Sequence, residues 1–120
     1  MEKILVVDDE PTIRSVTARV LQEEGYAILE ASDGLEALMV MGREIPSLVV
    51  TDIIMPRLTG VQLVERISVS HPGLPVVLMS GYGVAELAER GIAAPCAVLA
   101  KPFSPERLID TVRRCLAERV

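Results

Sequence analysis

Short runs of apolar residues alternate with amphipathic segments along the whole chain. Each run is continuously apolar, which is typical of strands covered by helices on both faces. The five runs span residues 4–7, 27–29, 48–50, 76–79 and 97–100. The first, third and fourth runs are the most apolar and are predicted to be central strands. The second run is short and is followed by Glu30, so we expect it at an edge of the sheet.

The segments between these runs have the spacing of amphipathic helices. In the first segment, Pro11 stands near the expected first helical position and Gly25 at the expected end. Its apolar stripe consists of Ile13, Val16, Thr17, Val20 and Leu21. Asp33 is the expected N-cap of a second helix. Residues 60–67 and 84–90 supply a third and a fourth helix.

The last segment has the most regular helical pattern. Ser104 is its expected N-cap and Pro105 its first helical residue. The apolar stripe that follows consists of Leu108, Ile109, Val112, Cys115 and Leu116. Five strand–helix units in 120 residues, without a linker or low-complexity stretch, predict one α/β domain over residues 1–120. Its architecture is expected to be a doubly wound, five-stranded parallel sheet with five helices.

Composition and charge narrow the classes of function. Half of the residues are apolar, which supports a buried core and excludes a disordered segment. With 12 Lys and Arg against 17 Asp and Glu, the net charge is −5, which disfavours nucleic acid and anionic membrane as direct partners. No apolar run approaches the length of a signal peptide or of a membrane helix. We therefore expect a cytoplasmic chain.

The two cysteines are isolated from each other in the sequence. Cys96 and Cys115 lack the spacing of a Cys-x-x-Cys motif, and a cytoplasmic chain rarely carries a structural disulfide. We therefore expect two reduced, buried thiols rather than a disulfide or a zinc site.

Polar side chains follow four of the five predicted strands. They are Asp8, Asp9, Asp52, Ser80 and Lys101. Because the carboxyl ends of parallel strands meet at one edge of the sheet, where ligands bind, we expect these side chains to converge. Each has an ordinary alternative: an aspartate can cap a helix or occupy a turn, a serine can cap a helix, and a lysine can be a solvated surface cation. Their coincidence at one edge favours a single site.

The residue types at this edge indicate phosphoryl chemistry. Three carboxylates repel one another unless a cation intervenes, and a small set of oxygen ligands suits Mg²⁺. An aspartate can attack phosphorus, while a lysine and a hydroxyl stabilise the phosphoryl oxygens. These roles predict Asp52 as the phosphoryl acceptor, Asp8 and Asp9 as metal ligands beside it, and Ser80 and Lys101 as phosphoryl contacts.

In these motifs the chain resembles the receiver domain of two-component response regulators. The motifs are Val-Val-Asp-Asp-Glu at 6–10, Thr-Asp-Ile-Ile-Met-Pro at 51–56 with Gly60, Met-Ser-Gly-Tyr-Gly at 79–83 and Lys-Pro-Phe at 101–103. The resemblance implies a flavodoxin-like fold with strand order 2-1-3-4-5. It also implies Mg²⁺-dependent transfer of a phosphoryl group to Asp52 from a histidine kinase or phosphotransfer protein. The resemblance further implies that the backbone carbonyl of Ile54 is a metal ligand and that the Lys101–Pro102 bond is cis.

Three positions depart from the usual receiver pattern. Val98 stands where many members carry an aromatic residue that swings inward on activation. Switching is therefore expected to rely on Ser80, the loop after it and the predicted helix at 84–90. Ile54 and Tyr82 occupy the positions that often tune dephosphorylation, and neither offers a carboxylate or an amide to an attacking water. We therefore expect slow autodephosphorylation.

Two other functions compete with a phosphorylation switch. A haloacid-dehalogenase-like phosphatase uses a similar set of residues, but it generally places an acidic residue where this chain has Ile54, and it needs room for a cap domain. A receiver-like binding scaffold that works without phosphorylation is the other alternative, and the intact acidic pair, Asp52, Ser80 and Lys101 argue against it. The sequence leaves four questions open. They are the identity of the cognate kinase, the identity of the downstream partner, whether the chain forms a weak homodimer, and whether it is part of a longer protein.

Overall fold

A computed structural model of the chain describes residues 2–80 and 95–118. Its centre is a parallel sheet with the order β2-β1-β3-β4-β5. The strands are β1 (Lys3–Val7), β2 (Ala27–Ala31), β3 (Leu48–Asp52), β4 (Val76–Ser80) and β5 (Ala97–Ala100). The predicted strand order is confirmed. The three most apolar runs are the central strands, because helices cover both of their faces, and the run before Glu30 forms an edge.

Four helices lie on the two faces of this sheet in the described residues. They are α1 (Pro11–Glu23), α2 (Gly34–Arg43), α3 (Gly60–Ser70) and α4 (Pro105–Glu118). The helix predicted at residues 84–90 lies outside the described residues. Within residues 2–80 and 95–118, no helix is both long enough and apolar enough to cross a membrane.

Side-chain caps fix where the helices begin. Asp33 accepts a hydrogen bond from the backbone N–H of Glu36 at 2.9 Å, and Ser104 Oγ accepts one from the N–H of Arg107 at 3.2 Å, so both predicted caps are confirmed. Thr59, which the sequence analysis did not single out, forms a reciprocal capping box with Gln62 at the start of α3. The start of α3 is thereby held in place directly after the loop that follows Asp52.

The apolar runs are continuous because successive residues of each strand enter two different cores. In β1, Leu5 and Val7 pack with residues of α2 and α3 on one face of the sheet. Ile4 and Val6 pack on the other face with residues of α1 and α4, including Leu21. Both faces of the central strands are therefore covered, and the polar residues of these strands stand at or next to a strand end.

The predicted stripe of α1 is only partly correct. Thr17 and Leu21 are buried as expected, but Val16 is 57% exposed and Ile13 is 36% exposed. The buried face of α1 is turned toward Ala18, and the helix contacts β1, β2 and α4. Two apolar side chains of α1 are therefore left at the surface, near the carboxyl edge of the sheet.

The expectation of two reduced thiols is wrong. Cys96, immediately before β5, and Cys115, near the end of α4, form a disulfide with a Cα–Cα distance of 6.0 Å. The two residues are 19 positions apart, and their spacing gives no sign that they meet. They become neighbours because α4 runs back across the sheet to the amino end of β5.

Candidate functional site

The predicted site residues lie together at the carboxyl edge of the sheet. Asp8 and Asp9 follow β1, Asp52 is the last residue of β3, Ser80 is the last of β4, and Lys101 follows β5. The backbone N–H of Lys101 donates to the carbonyl of Ser80 at 2.7 Å, which holds these two strand ends side by side. The topological expectation that these residues converge is confirmed.

Three carboxylates form the acidic part of this edge. One oxygen each from Asp8, Asp9 and Asp52 lies within 4.8 Å of the others. Asp8 is fully buried, Asp52 is partly buried and Asp9 is exposed. The cluster therefore opens to solvent on the side of Asp9, which is where an ion or a phosphoryl group would enter.

Lys101 is the cation that faces this cluster. Its Nζ lies 3.1 Å from Oδ2 of Asp52 and 3.7 Å from Oδ2 of Asp8. One ammonium group thus opposes two carboxylates, and its charge reduces their mutual repulsion without neutralising both. Asp52 is further oriented by the N–H of Ile53, which donates to Oδ1 at 2.8 Å.

The surroundings of Asp8 disfavour the charged form of its carboxyl group. Burial raises the pKa of its carboxyl above the ordinary value, and the charges of Asp52 and Asp9 raise it further. The N–H of Glu10, which donates to Oδ1 at 2.9 Å, and the charge of Lys101 oppose that rise in pKa. Oδ2 of Asp8 is buried with no hydrogen-bond partner among the described residues. A buried carboxylate oxygen without a donor, beside two more carboxylates, fits a divalent cation with oxygen ligands.

A backbone hydrogen bond joins the two ends of the loop between Asp52 and α3. The N–H of Gly60 donates to the carbonyl of Ile53 at 2.8 Å, so the loop closes on itself directly after β3. A Cβ at Gly60 would lie 2.1 Å from the carbonyl oxygen of Asp52. Only glycine permits this close approach of α3 to the end of β3.

A second fastening joins the same loop to α2. Arg57, whose φ of 67° lies in the left-handed region, donates through Nε to Oδ2 of Asp33 at 2.9 Å, and a second guanidinium nitrogen bonds to the same oxygen. The N–H of Glu36, and then Arg57, lower the pKa of Asp33. Asp33 therefore caps α2 and anchors the loop at once. Only the cap could be predicted from the sequence, since no local pattern pairs Arg57 with a residue 24 positions earlier.

The other residues that the sequence singled out differ in burial and in location. Ser80 is buried at the end of β4, and Val98 is partly buried against the core that contains α2 and α3. Ile54 is 61% exposed beside the acidic cluster, and its role as a carbonyl ligand stays a prediction. The Lys101–Pro102 bond is cis as expected. Tyr82 lies outside the described residues.

An apolar groove of about 440 Å³ adjoins the cluster on the side of α1. Ile13 and Val16 of α1 form one wall, and Pro102 and Phe103 form the other. Lys101 lines the same groove, so the groove ends at the cation that faces Asp52. This surface could not be predicted from the helical periodicity, which places both Ile13 and Val16 in the core.

Comparison with known proteins gives one consistent family. The sequence model of the response regulator receiver domain matches residues 4–113. Sporulation initiation phosphotransferase F of Bacillus subtilis is 33% identical over 116 residues, covering 96% of this chain and 94% of that protein. The nitrogen assimilation regulatory protein NtrX of Azorhizobium caulinodans is 38% identical, and the sensor kinase CckA of Brucella abortus is 36% identical. The NtrX match covers 94% of this chain but only 26% of that protein, and the CckA match covers 97% of this chain but only 13% of that protein.

Solved structures agree with the sequence comparison. The receiver domain of NtrX from Brucella abortus is 40% identical with a TM-score of 0.87, covering 96% of this chain and 98% of that one. A CheY-like receiver domain protein from Methanospirillum hungatei is 29% identical with a TM-score of 0.91, covering 98% of this chain and 95% of that one. Both similarities extend over the whole sheet and include its carboxyl edge.

Proposed function

This chain belongs to the response regulator receiver domain family of two-component systems, and on that premise we propose that it is a phosphorylation-dependent switch with Asp52 as phosphoryl acceptor. The observation that carries the proposal is the position of Lys101, whose Nζ lies 3.1 Å from Asp52 and 3.7 Å from Asp8. A cation beside the acceptor oxygen is what the negative charge of an incoming phosphoryl group requires.

The acidic cluster fits Mg²⁺ as the cofactor of this reaction. Asp8, Asp9 and Asp52 would hold the ion through carboxylate oxygens, and the carbonyl of Ile54 is the proposed fourth ligand. When bound, Mg²⁺ supplies positive charge that stabilises the phosphoryl oxygens during transfer. Oδ2 of Asp8 supports this assignment, because among the described residues it accepts no hydrogen bond and has only the Lys101 ammonium at 3.7 Å, and a buried carboxylate oxygen is costly unless it is further compensated.

The residues of this chain have distinct roles in the proposed transfer. A carboxylate oxygen of Asp52 attacks phosphorus, the new P–O bond forms as the P–N bond of a phosphohistidine breaks, and the imidazole nitrogen keeps the electron pair. Lys101 then exchanges its contact with the Asp52 carboxylate for one with a phosphoryl oxygen. Ser80, buried at the end of the neighbouring strand, is the proposed hydroxyl contact to a second phosphoryl oxygen.

The groove beside α1 is the proposed contact for the phosphohistidine-bearing protein, a histidine kinase or a phosphotransfer protein. Ile13 and Val16 are exposed there, and the groove leads to Lys101, so an apolar helix face seated in it would place a histidine near Asp52. Two relatives, a sporulation initiation phosphotransferase and a sensor kinase, support phosphoryl transfer as the shared chemistry. A cytoplasmic location is part of this proposal.

Incubation with acetyl phosphate tests the proposed function without a cognate kinase. We expect one phosphoryl adduct by intact mass in the presence of Mg²⁺ and none with EDTA. Asp52→Asn keeps the size of the side chain but removes the nucleophilic oxygen, so the adduct should disappear. Asp110→Asn, on α4 away from the cluster, is the matched control and should be phosphorylated like the unmodified chain. An adduct that persists in Asp52→Asn would contradict Asp52 as the acceptor. No adduct in any protein while Mg²⁺ binds would favour a receiver-like scaffold that works without phosphorylation.

Asp8→Asn is expected to stabilise the metal-free fold and to weaken Mg²⁺ binding. The pKa of Asp8 is raised in the folded state. At a pH between the ordinary and the raised pKa, the folded protein therefore holds a proton that the unfolded chain releases. The free energy of unfolding therefore falls as pH rises from about 4 through the raised pKa. Asparagine removes that fall and still accepts from the N–H of Glu10, so the variant should be more stable than the unmodified chain near neutral pH in the absence of metal.

Urea unfolding in EDTA and in Mg²⁺ measures both effects of Asp8→Asn. Mg²⁺ should raise the midpoint of the unmodified chain, since a ligand that binds only the folded state stabilises it, and should raise that of the variant much less. A variant less stable than the unmodified chain in EDTA, or stabilised equally by Mg²⁺, would contradict the assignment of Asp8.

Ile54→Asn is expected to shorten the lifetime of the phosphorylated protein by about tenfold. An amide at this exposed position can orient a water toward the phosphoryl group, whereas the isoleucine offers no polar atom. The effect should stay below that of a full general base, because an amide does not accept the proton of the water. Decay of the adduct, followed by intact mass after removal of acetyl phosphate, measures it.

The control for this prediction is Ile54→Leu, which keeps the position apolar and should leave the lifetime unchanged. A lifetime of Ile54→Asn equal to or longer than that of the unmodified chain would show that position 54 does not limit access of water.

A further inference from the structure

The disulfide ties together two elements that meet on one face of the sheet. Cys96 stands directly before β5, and Cys115 lies in α4. Lys101, the cation of the candidate site, follows the other end of the same strand. The disulfide is therefore a covalent link between α4 and the strand that leads to the site.

The two sulfur-bearing residues differ in their access to solvent. Cys115 is 1% exposed and is packed among apolar residues that include Leu108 and Val112. Cys96 is partly exposed and lines a cavity of about 340 Å³ at the amino edge of the sheet, opposite the candidate site. Other walls of this cavity come from α3 and the loop after it, including Ser68 and His71. A small molecule thus meets the bond from the side of Cys96.

We propose that Cys96–Cys115 is a thiol–disulfide exchange site, and that a small thiol reductant enters the cavity and attacks Sγ of Cys96. The partial exposure of Cys96 and the burial of Cys115 carry this assignment, because the rate of exchange depends on which sulfur a thiolate can reach. The proposal does not depend on phosphorylation of Asp52, since it concerns the opposite edge of the sheet.

The exchange is a two-electron reduction of the disulfide by two thiols. The thiolate of a dithiol forms a bond to Sγ of Cys96 as the Cys96–Cys115 bond breaks, and the electron pair goes to Sγ of Cys115, which takes up a proton. The product is a mixed disulfide between Cys96 and the dithiol. The second thiolate of the dithiol then attacks the dithiol sulfur of this mixed disulfide. Cys96 leaves as a thiol, and the dithiol ends as a cyclic disulfide. The reverse reaction, with a disulfide as the oxidant, restores the link.

Alkylation of the full chain under native conditions tests whether the link is reversible. We expect no maleimide adduct before reduction and two after treatment with dithiothreitol, both measured by intact mass. A brief treatment with glutathione, quenched with acid, should leave the glutathione on the peptide that contains Cys96. Two adducts without reductant, resistance to dithiothreitol until the chain is unfolded, or glutathione on Cys115 would each overturn the proposal.

A pair of variants on α3 tests entry through the cavity. Ser68 lines the cavity, so Ser68→Phe should fill it and slow reduction by about tenfold, because exchange depends on access. Val69, its neighbour, is 84% exposed and lines a different groove, so Val69→Phe should be reduced at the rate of the unmodified chain. Equal rates for the two variants would show that the thiol does not enter by this cavity.

Discussion

Lys101→Met is expected to lower the rate of phosphoryl incorporation at Asp52 by about 100-fold or more. The loss of one preorganised donor to a transferring group has an effect of about 10²–10³ on rate, and Lys101 is the cation nearest to Asp52 Oδ2, at 3.1 Å. Methionine keeps the length of the apolar stem and removes only the ammonium group. The rate is measured as growth of the acetyl phosphate adduct at saturating Mg²⁺.

The chain offers a matched control for this variant. Its only other lysine is Lys3, which pairs with Glu44 at the opposite end of β1, far from the acidic cluster. Lys3→Met should therefore be phosphorylated at the rate of the unmodified chain, while losing the same charge. Equal rates for Lys101→Met and Lys3→Met would remove Lys101 from the proposed mechanism.

Gly60→Ala is expected to lower the free energy of unfolding by about 3 kcal/mol, at the upper end of the cost of overpacking. The added Cβ would meet the carbonyl oxygen of Asp52 at 2.1 Å and Cα of Ile53 at 2.8 Å. Both neighbours are backbone atoms, so no side chain can rotate away. Either α3 or the end of β3 must shift, and in the second case Asp52 shifts as well. Urea unfolding measures the loss of stability.

Gly42→Ala is the matched control for that substitution. Gly42 lies within α2 and has nothing within 4 Å of an added Cβ. Alanine there should raise stability by up to about 1 kcal/mol, since it favours the helix over the unfolded chain. An unfolding midpoint of Gly60→Ala equal to that of the unmodified chain would show that the loop after Asp52 can yield, and that glycine is not needed for its shape.

The sheet and the convergence of the site residues could be predicted because both follow from local pattern and a topological rule. Buried strands of a parallel sheet are continuously apolar, so the first polar residue after each run marks the end of a strand. The carboxyl ends of those strands share one edge. This reasoning was enough to bring Asp8, Asp52 and Lys101 together, although they are up to 93 positions apart in the sequence.

Features that depend on how elements pack could not be predicted in this way. The spacing of α1 fits several rotations of the helix, and Val16 is exposed where periodicity places it in the core. The hydrogen bonds between Arg57 and Asp33 depend on a loop conformation with positive φ at Arg57. No residue type in that loop predicts this conformation. The disulfide depends on where α4 ends relative to β5, and cysteine spacing carries no such information.

The most direct test of the central proposal is to locate the phosphoryl group by reductive trapping. Borohydride reduces the acyl phosphate of an aspartate to the alcohol, which leaves a stable mass change on one residue. After phosphorylation with acetyl phosphate and Mg²⁺, peptide mass spectrometry should find the reduced residue at position 52 and at no other acidic position. Reduction at Asp8 or Asp9, or no reduced residue in a protein that carries the adduct, would contradict the assignment of Asp52 as acceptor.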